Sequence, residues 1–319
     1  MRFVNSYSFV IINFAKLPKI SQSMQNTEQE QHSWIKLAVI LSILFSLGWM
    51  SYMASNMNIS INLDNEKAIL LSKLEQAIMV IIIFIIPTLL FALFWTKSKV
   101  HYLGLTKKAS FVTLLFSGLF ILLAVPLINW FATLNEHMSL PQVFSGMEAW
   151  MQKSETVAKN ITDAYMQGTS IGVLITNLIV VALLAALSEE IFFRGMLQKV
   201  LIECFKNKHI GVWIGAILFS AFHMQFYGFL PRMLMGASLG YLFLWSGSLW
   251  PGIIAHFVNN GMTVFLIWLS NRGAISPDID KIGSDGNQLI FVAVSAVLVT
   301  ISLLLVYRTE KKRNNSLTS

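Results

Sequence analysis

About eight apolar segments, each close to the roughly 20 residues that an α-helix needs to cross a bilayer, dominate this chain. They lie at about 35–56, 75–95, 111–132, 170–192, 209–224, 232–247, 251–270 and 288–307. The fifth and sixth are short, which favours helices that are tilted or buried among others. The sequence therefore predicts an all-α, multi-pass membrane protein with about eight transmembrane helices.

The charges are sparse and unevenly placed. Only 12% of the 319 residues are charged, whereas a soluble domain carries about 25%. Acidic residues collect in the connections 133–169 and 271–287. Basic residues collect in the other connections and the tail, and include Lys97, Lys99, Lys107, Lys108, Lys199, Lys206, Lys208, Arg308, Lys311, Lys312 and Arg313. The positive-inside rule then predicts a protein of the cell membrane with both termini in the cytoplasm.

The net charge of +7 follows from these loop residues. No basic patch interleaved with aromatic residues is present, so nucleic acid is not an expected partner. The expected partners are the lipid bilayer and a peptide or protein. The single cysteine, Cys204, excludes an intrachain disulfide and a cysteine-based metal cluster.

The predicted organisation has four parts. Residues 1–34 form a cytoplasmic N-terminal segment, in which Met24 is the predicted true start. Residues 35–169 contain the first helices and an external loop, with a short amphipathic helix expected at 143–151. Residues 170–270 form the core, and 271–319 an external loop, the last span and a basic tail.

Three ionisable residues close the fourth apolar segment: Glu189, Glu190 and Arg194. An ionisable residue at membrane depth costs about 2.5–3.5 kcal/mol, so it usually has a partner and a function. Glu190 and Arg194 are spaced i,i+4 and can pair on one helix face. Glu189 lies about 100° away around the helix and remains available for another contact.

Two later segments add polar side chains at helical spacing. Phe219 and His223 share one face of the fifth segment, and His256 and Asn260 share one face of the seventh. Arg232, at the start of the sixth, is interpreted as a side chain that snorkels at the membrane edge. Two glycine pairs that allow close helix approach are Gly211 with Gly215 and Gly236 with Gly240.

These three motifs, Glu-Glu-x-x-x-Arg, Phe-x-x-x-His and His-x-x-x-Asn, resemble those of the CPBP family. Its members are CAAX-processing and bacteriocin-processing intramembrane proteases, also called Abi or Rce1-like proteins. The motifs stand in the family's order on separate apolar segments, and the resemblance covers about 170–265. It implies an intramembrane endopeptidase that cleaves a membrane-associated, prenylated or leader peptide.

The resemblance also implies roles for individual residues. Glu189 and His223 would activate the attacking water, and His256 and Asn260 would form the oxyanion hole. Glu190 with Arg194 would support the fourth helix. No cofactor is expected under this glutamate mechanism.

Metal chemistry is the main alternative. Glu189, His223 and His256 could together supply the two-histidine, one-carboxylate set of a zinc hydrolase. The H-E-x-x-H pattern that is typical of metalloproteases is absent from the sequence.

Two other functions are weaker alternatives. The first is a non-catalytic membrane immunity or scaffold protein of the same fold, although such a protein has no need for both histidines and Asn260. The second is a transporter, which usually shows an internal repeat.

One feature of the predicted spans conflicts with this site. A residue count places Glu189 near the inner end of helix four and His223 near the outer end of helix five. The two can meet if helix five starts deep in a cavity, if it is short and tilted, or if the predicted boundaries are displaced by several residues.

Overall fold

The computed structural model describes residues 33–42, 66–95, 99–138, 140–276, 282–284 and 288–318. Within these ranges the chain is helical and contains no strand, which confirms the all-α prediction. The predicted start at Met24 and most of the first apolar segment lie outside the described residues.

The described helices are, in chain order, α1 (Ser33–Ser42), α2 (Glu66–Trp95), α3 (Lys99–Leu103), α4 (Phe111–Leu123), α5 (Val125–Glu136), α6 (Ser145–Met166), α7 (Ile171–Phe205), α8 (Lys208–Phe222), α9 (Phe229–Ser246), α10 (Trp250–Asn271) and α11 (Leu289–Thr318). Short 3-10 turns occupy Gln142–Phe144 and Phe226–Gly228. Wider π turns interrupt α2 at Ile81–Ile85 and α7 at Leu178–Leu184 and Phe193–Leu197.

Four of the described helices, α2, α7, α10 and α11, are long and apolar enough to cross a membrane. The pair α4 and α5 adds a fifth span if it is counted as one bent helix, with an angle of 49°. Pro126 lies in the first turn of α5 and lacks a backbone N–H, which explains the bend. The total of eight spans stays a prediction.

Helices α7 and α8 form a tight antiparallel hairpin. Lys206 ends α7 in the left-handed conformation, with φ of 49°. The Asn207 side chain then caps α8 by accepting hydrogen bonds from the N–H groups of His209 and Ile210. Gly211 lies so close to Ile202 that a Cβ atom would approach its Cγ1 to 2.4 Å. Gly211 therefore permits the close approach of α7 and α8.

This hairpin places Glu189 and His223 at one level. Helix α7 continues to Phe205, so the predicted end of helix four at residue 192 is wrong. Glu189 lies 16 residues before Phe205, and His223 lies 15 residues after Lys208. At 1.5 Å per residue these distances are about 24 and 22 Å. The displaced boundary resolves the conflict between the two residues.

The connection 133–169 contains a longer helix than predicted, because α6 has 22 residues. Its C-terminal end is held by side chains from three other helices. Lys73 of α2, which is only 4% exposed, and Asn177 of α7 both donate to the Tyr165 carbonyl at 2.8 Å. Asn271 of α10 donates to the Met166 carbonyl at 2.7 Å. One end of α6 is therefore fixed to the core.

Candidate active site

Glu190 is the most enclosed residue of the site, with 0% of its surface exposed. Its Oε1 accepts a hydrogen bond from Arg194 at 2.6 Å, which is the ion pair that the i,i+4 spacing predicts. The same oxygen lies 3.0 Å from His256 Nδ1. Arg194 also donates to the Gly236 carbonyl at 2.9 Å. This carboxylate and its arginine therefore connect α7 with both α10 and α9.

Gly252 makes room for that carboxylate. A Cβ atom at Gly252 would lie 2.7 Å from Glu190 Oε2, so any side chain there would displace the glutamate. Among the described residues, Oε2 has no hydrogen-bond partner. Buried polar atoms without a partner are rare in native structures, and their positions often have a function.

Glu189 faces two imidazole rings. Its side chain is 12% exposed, and its Oε2 lies 3.8 Å from His223 Nε2 and 3.9 Å from His256 Nε2. Both distances are too long for a direct hydrogen bond. Within the described part of the chain, this oxygen has no hydrogen-bond partner. The structure thus brings the reactive carboxylate of the sequence prediction to both predicted histidines.

The contacts of His223 fix its tautomer. Its Nδ1 lies 2.9 Å from the Phe219 carbonyl, which can only accept, so Nδ1 carries the proton. In the neutral ring, Nε2 is then a hydrogen-bond acceptor that faces Glu189. Met224 follows with a positive φ of 55° and ends α8, so His223 is held at the end of the helix.

Asn260 lies one helical turn after His256 and contacts α7. Its Nδ2 donates to the Val181 carbonyl at 3.4 Å, inside the π turn Leu178–Leu184. Such turns are frequent at functional sites. Its Oδ1 accepts from Asn259 Nδ2 at 3.0 Å. Asn259 lies off the face of His256 and Asn260, yet its side chain orients the Asn260 carboxamide.

Phe219 lies between the polar side chains. Its ring centroid is 5.1 Å from that of His223 and 5.7 Å from that of His256. The Arg194 guanidinium lies 4.5 Å from the ring centroid, within cation–π range. Phe219 therefore packs against both imidazoles and restricts their orientation.

Residues 171–262 match the family model for type II CAAX prenyl endopeptidase Rce1-like proteins. This segment is therefore similar to the Rce1-like family. The predicted resemblance is confirmed, and the Rce1-like segment contains all six residues of the predicted site: Glu189, Glu190, Arg194, His223, His256 and Asn260.

A curated relative is also similar to part of this chain. "Uncharacterized protein YpbD" of Bacillus subtilis (strain 168) is 32% identical over 88 residues, which are 26% of this chain and 42% of YpbD. The match therefore spans less than half of the relative's length. No solved structure matches the chain.

A buried glutamine in the Rce1-like segment escaped the sequence analysis. Gln198 donates to the Gly240 carbonyl at 3.1 Å, one turn beyond the bond from Arg194 to Gly236. The two donors are four residues apart on α7, and the two acceptors are four residues apart on α9. The sequence shows that Gln198 follows Arg194, and Gly240 follows Gly236, by the same four residues. This equal spacing predicts a contact only when α7 and α9 are known to be neighbours.

Arg232 does not match its interpretation as a snorkelling side chain. Its guanidinium donates to the backbone carbonyl of Gln225 at 3.1 Å and to Gln225 Oε1 at 3.0 Å. Arg232 is thus bound to the loop that follows His223 in the Rce1-like segment.

The described part of the chain contains no group of three or more His, Cys, Asp or Glu side chains with a geometry that could hold a metal ion. Zinc binding by Glu189, His223 and His256 stays an alternative hypothesis. A measurement of the metal content of the purified protein tests it.

Proposed function

We propose that this protein is an intramembrane endopeptidase that hydrolyses a peptide bond of a membrane-associated peptide. The observation that carries the proposal is Glu189 Oε2, which is buried, has no hydrogen-bond partner among the described residues and faces two histidine nitrogens at 3.8 and 3.9 Å. The match of this segment to the Rce1-like family supports the same reaction class.

Glu189 and His223 would activate the attacking water. A contact of 3.8 Å between two polar atoms is a distance that a bridging water can span. The carboxylate and Nε2 of neutral His223 both accept, so they hold the two protons of one water and direct its lone pair outward. Glu189 then takes a proton as general base and returns it to the leaving amine as general acid.

His256 and Asn260 would stabilise the oxyanion. His256 Nδ1 donates to Glu190, so donation from Nε2 to the oxyanion requires the imidazolium form. The Glu190 carboxylate stabilises that positive charge. Asn259 occupies the Asn260 carboxamide oxygen, and Asn260 Nδ2 uses one N–H for the Val181 carbonyl, so its second N–H remains to donate. Such preorganised donors are worth about 10²–10³ in kcat each.

The proposed setting is the cell membrane, with several spans and both termini in the cytoplasm, as the loop charges predict. The substrate would be a prenylated or leader peptide that arrives from the bilayer or the cytoplasm. No nucleic acid and no cofactor take part in this reaction.

A substrate trap tests the proposal. The wild type and Glu189→Ala are each purified in lipid nanodiscs, and mass spectrometry identifies the peptides that co-purify. We expect intact peptides on Glu189→Ala and their cleavage products with the wild type. Intact partners retained equally by both proteins would instead support the immunity or scaffold function.

A further inference from the structure

A polar cavity of about 720 Å³ lies between the first turns of α2 and the turn that leads into α7. Lys73 lines this cavity and is only 4% exposed, whereas Thr169 and Ser170, which also line it, are exposed. Lys73 forms no ion pair with any residue that the structure describes. An ionisable residue within a span almost always pairs with an opposite charge or marks a binding site. The cavity therefore contains a buried positive charge that lacks a counter-charge.

The hydrogen bond that Lys73 makes does not account for its charge. Its Nζ donates to the Tyr165 carbonyl at 2.8 Å, but the uncharged amide of Asn177 donates to the same carbonyl at the same distance. The Tyr165 ring, 5.6 Å from Nζ, adds a cation–π contact but no acceptor. An ammonium has three N–H donors, and the carbonyl takes one of them. Two donors of a buried cation therefore remain for a ligand.

The turn that leads into α7 adds peptide N–H groups to the same cavity. Trp268 of α10 holds this turn by its carbonyls, because its Nε1 donates to those of Thr169 and Ser170 at 3.2 and 3.1 Å. Gly168 has a φ of 105°, which a residue with a side chain rarely adopts. The N–H groups of Gly168, Thr169 and Ser170 donate to no described residue. Such N–H groups before a helix favour an anion, and Lys73 supplies the charge for it.

The other features of the cavity point to a ligand that is more than an anion. Glu66 also lines it, seven residues before Lys73, which is two turns or about 10 Å along the same face of α2. Leu70 lies between them on that face and is 50% exposed, so the cavity has an apolar edge. A matching ligand has a phosphate for Lys73, an ammonium for Glu66 and an apolar tail for Leu70.

We propose that this cavity binds the headgroup of a phospholipid with a primary ammonium, such as phosphatidylethanolamine. Lys73 and the N–H groups of Gly168, Thr169 and Ser170 bind the phosphate, and Glu66 binds the ammonium. All these residues precede the segment 171–262 that matches the Rce1-like family model. The site is thus separate from the proposed active site, and lipid binding there does not depend on the proposed endopeptidase function.

Native mass spectrometry of the full chain, titrated with lipids in detergent, tests the proposal. The lipids are phosphatidylethanolamine, phosphatidylglycerol and phosphatidylcholine with identical acyl chains. One phosphatidylethanolamine should bind per protein, about 2- to 5-fold more tightly than either other lipid. The reason is that phosphatidylglycerol has no ammonium and the ammonium of phosphatidylcholine has no N–H for Glu66. Inorganic phosphate and soluble phosphoethanolamine, at the same concentration, should not displace it, because they lack acyl chains.

Three variants locate the binding. Lys73→Gln should weaken the binding of all three lipids about 10- to 100-fold, because a hydrogen bond to a charged group is lost. Glu66→Gln should abolish the preference for phosphatidylethanolamine and leave the binding of phosphatidylglycerol unchanged. Lys67→Gln is the matched control, since Lys67 is an exposed lysine of the same helix that does not line the cavity. It should change neither quantity.

Several results would overturn the proposal. They are tighter binding of phosphatidylglycerol than of phosphatidylethanolamine, binding that survives Lys73→Gln, and equal losses in Lys67→Gln and Lys73→Gln. Displacement by soluble phosphoethanolamine would exclude a lipid as the occupant. If Lys73→Gln does not fold, Glu66→Gln decides, because Glu66 is exposed at the start of α2. A preference for phosphatidylethanolamine that persists in Glu66→Gln would then contradict the assignment.

Discussion

Glu310 on α11 and Glu189 on α7 are both buried carboxylates in apolar helices, but their surroundings differ. Glu310 Oε1 accepts from the Ser110 N–H at 3.1 Å and from Thr113 Oγ1 at 2.5 Å, and Oε2 forms an ion pair with Arg313 at 2.9 Å. It caps the N-terminus of α4, where a negative charge is favoured. Glu189 Oε2 has no comparable donor among the described residues. Burial alone therefore does not distinguish the two carboxylates, whereas the neighbours of Oε2 do: an arginine at 2.9 Å from Glu310 and two imidazoles at 3.8 and 3.9 Å from Glu189.

The largest expected effect is the loss of activity in Glu189→Gln, compared with Glu310→Gln. Glu189→Gln should lower kcat/KM by about 10²–10⁴-fold, because a general base is lost, and should leave the thermal midpoint unchanged. Glu310→Gln should lower the thermal midpoint but keep the activity of the folded fraction. Peptide cleavage and thermal unfolding in detergent measure both. Loss of activity in Glu310→Gln without loss of stability would contradict the distinction.

The next effect concerns Asn260. Asn260→Ala should lower kcat by about 10²–10³-fold with little change in KM, because an oxyanion contact strengthens in the transition state. Asn259→Ala should cost about 2- to 10-fold, since it removes only the hydrogen bond that orients Asn260. Steady-state kinetics of both variants measure kcat and KM separately. A dominant rise in KM for Asn260→Ala would mean that the other face of α10 meets the substrate.

Glu190 lies between the two extremes, because Oε1 is bonded and Oε2 is not. Glu190→Gln should lower the yield and the thermal midpoint, since the buried Arg194 loses its charged partner. It should also lower kcat about tenfold, because His256 loses the carboxylate that stabilises its imidazolium. Equal stability of Glu189→Gln and Glu190→Gln, with equal loss of activity, would refute the assignment of a catalytic role to Glu189 and a supporting role to Glu190.

A smaller change probes the space around Glu190. Gly252→Ala places a methyl group 2.7 Å from Oε2 and should reduce kcat several-fold by displacing the carboxylate from His256. Gly172→Ala on α7 is the control, because its Cβ would meet only Ser170 Oγ, at 3.8 Å. If the two variants have the same activity, the position of Glu190 does not limit catalysis.

The smallest expected effect is that of a chelator. If Glu189 is the base, the purified protein should contain sub-stoichiometric zinc and keep its activity in EDTA. Elemental analysis and cleavage assays measure these quantities. Stoichiometric zinc that is lost in His223→Ala would instead assign Glu189, His223 and His256 to a metalloprotease.

Helical spacing predicted contacts within one helix, whereas the meeting of Glu189 with the two histidines was predicted only from the family resemblance, and other contacts between helices were missed. The Glu190–Arg194 pair follows from i,i+4 spacing, which needs no knowledge of the fold. The contact between Glu190 and His256 joins residues 66 positions apart, and only the packing of α7 against α10 creates it. The same reason explains why Gln198 was missed.

The end of helix four was misjudged because charged residues were taken as the end of the span. Beyond residue 192, α7 carries Arg194, Lys199 and Glu203, yet each has a partner inside the protein. Arg194 pairs with Glu190, Lys199 donates to the Tyr102 carbonyl, and Glu203 forms an ion pair with Lys36 at 3.0 Å. Hydropathy counts charges but does not show whether they are neutralised.

The short length of α8 affects how water, the second substrate of any hydrolase, reaches the site. Its 15 residues span about 22 Å, whereas a hydrocarbon core is about 30 Å thick. If Lys208 lies at one surface, the loop 224–228 ends about 8 Å short of the other, inside the layer that excludes water. Its peptide groups require hydration or protein partners there, and Asn135 and Ser220 supply such partners to the carbonyls of Phe226 and Phe229. Water that enters beside this loop would reach His223 without crossing lipid.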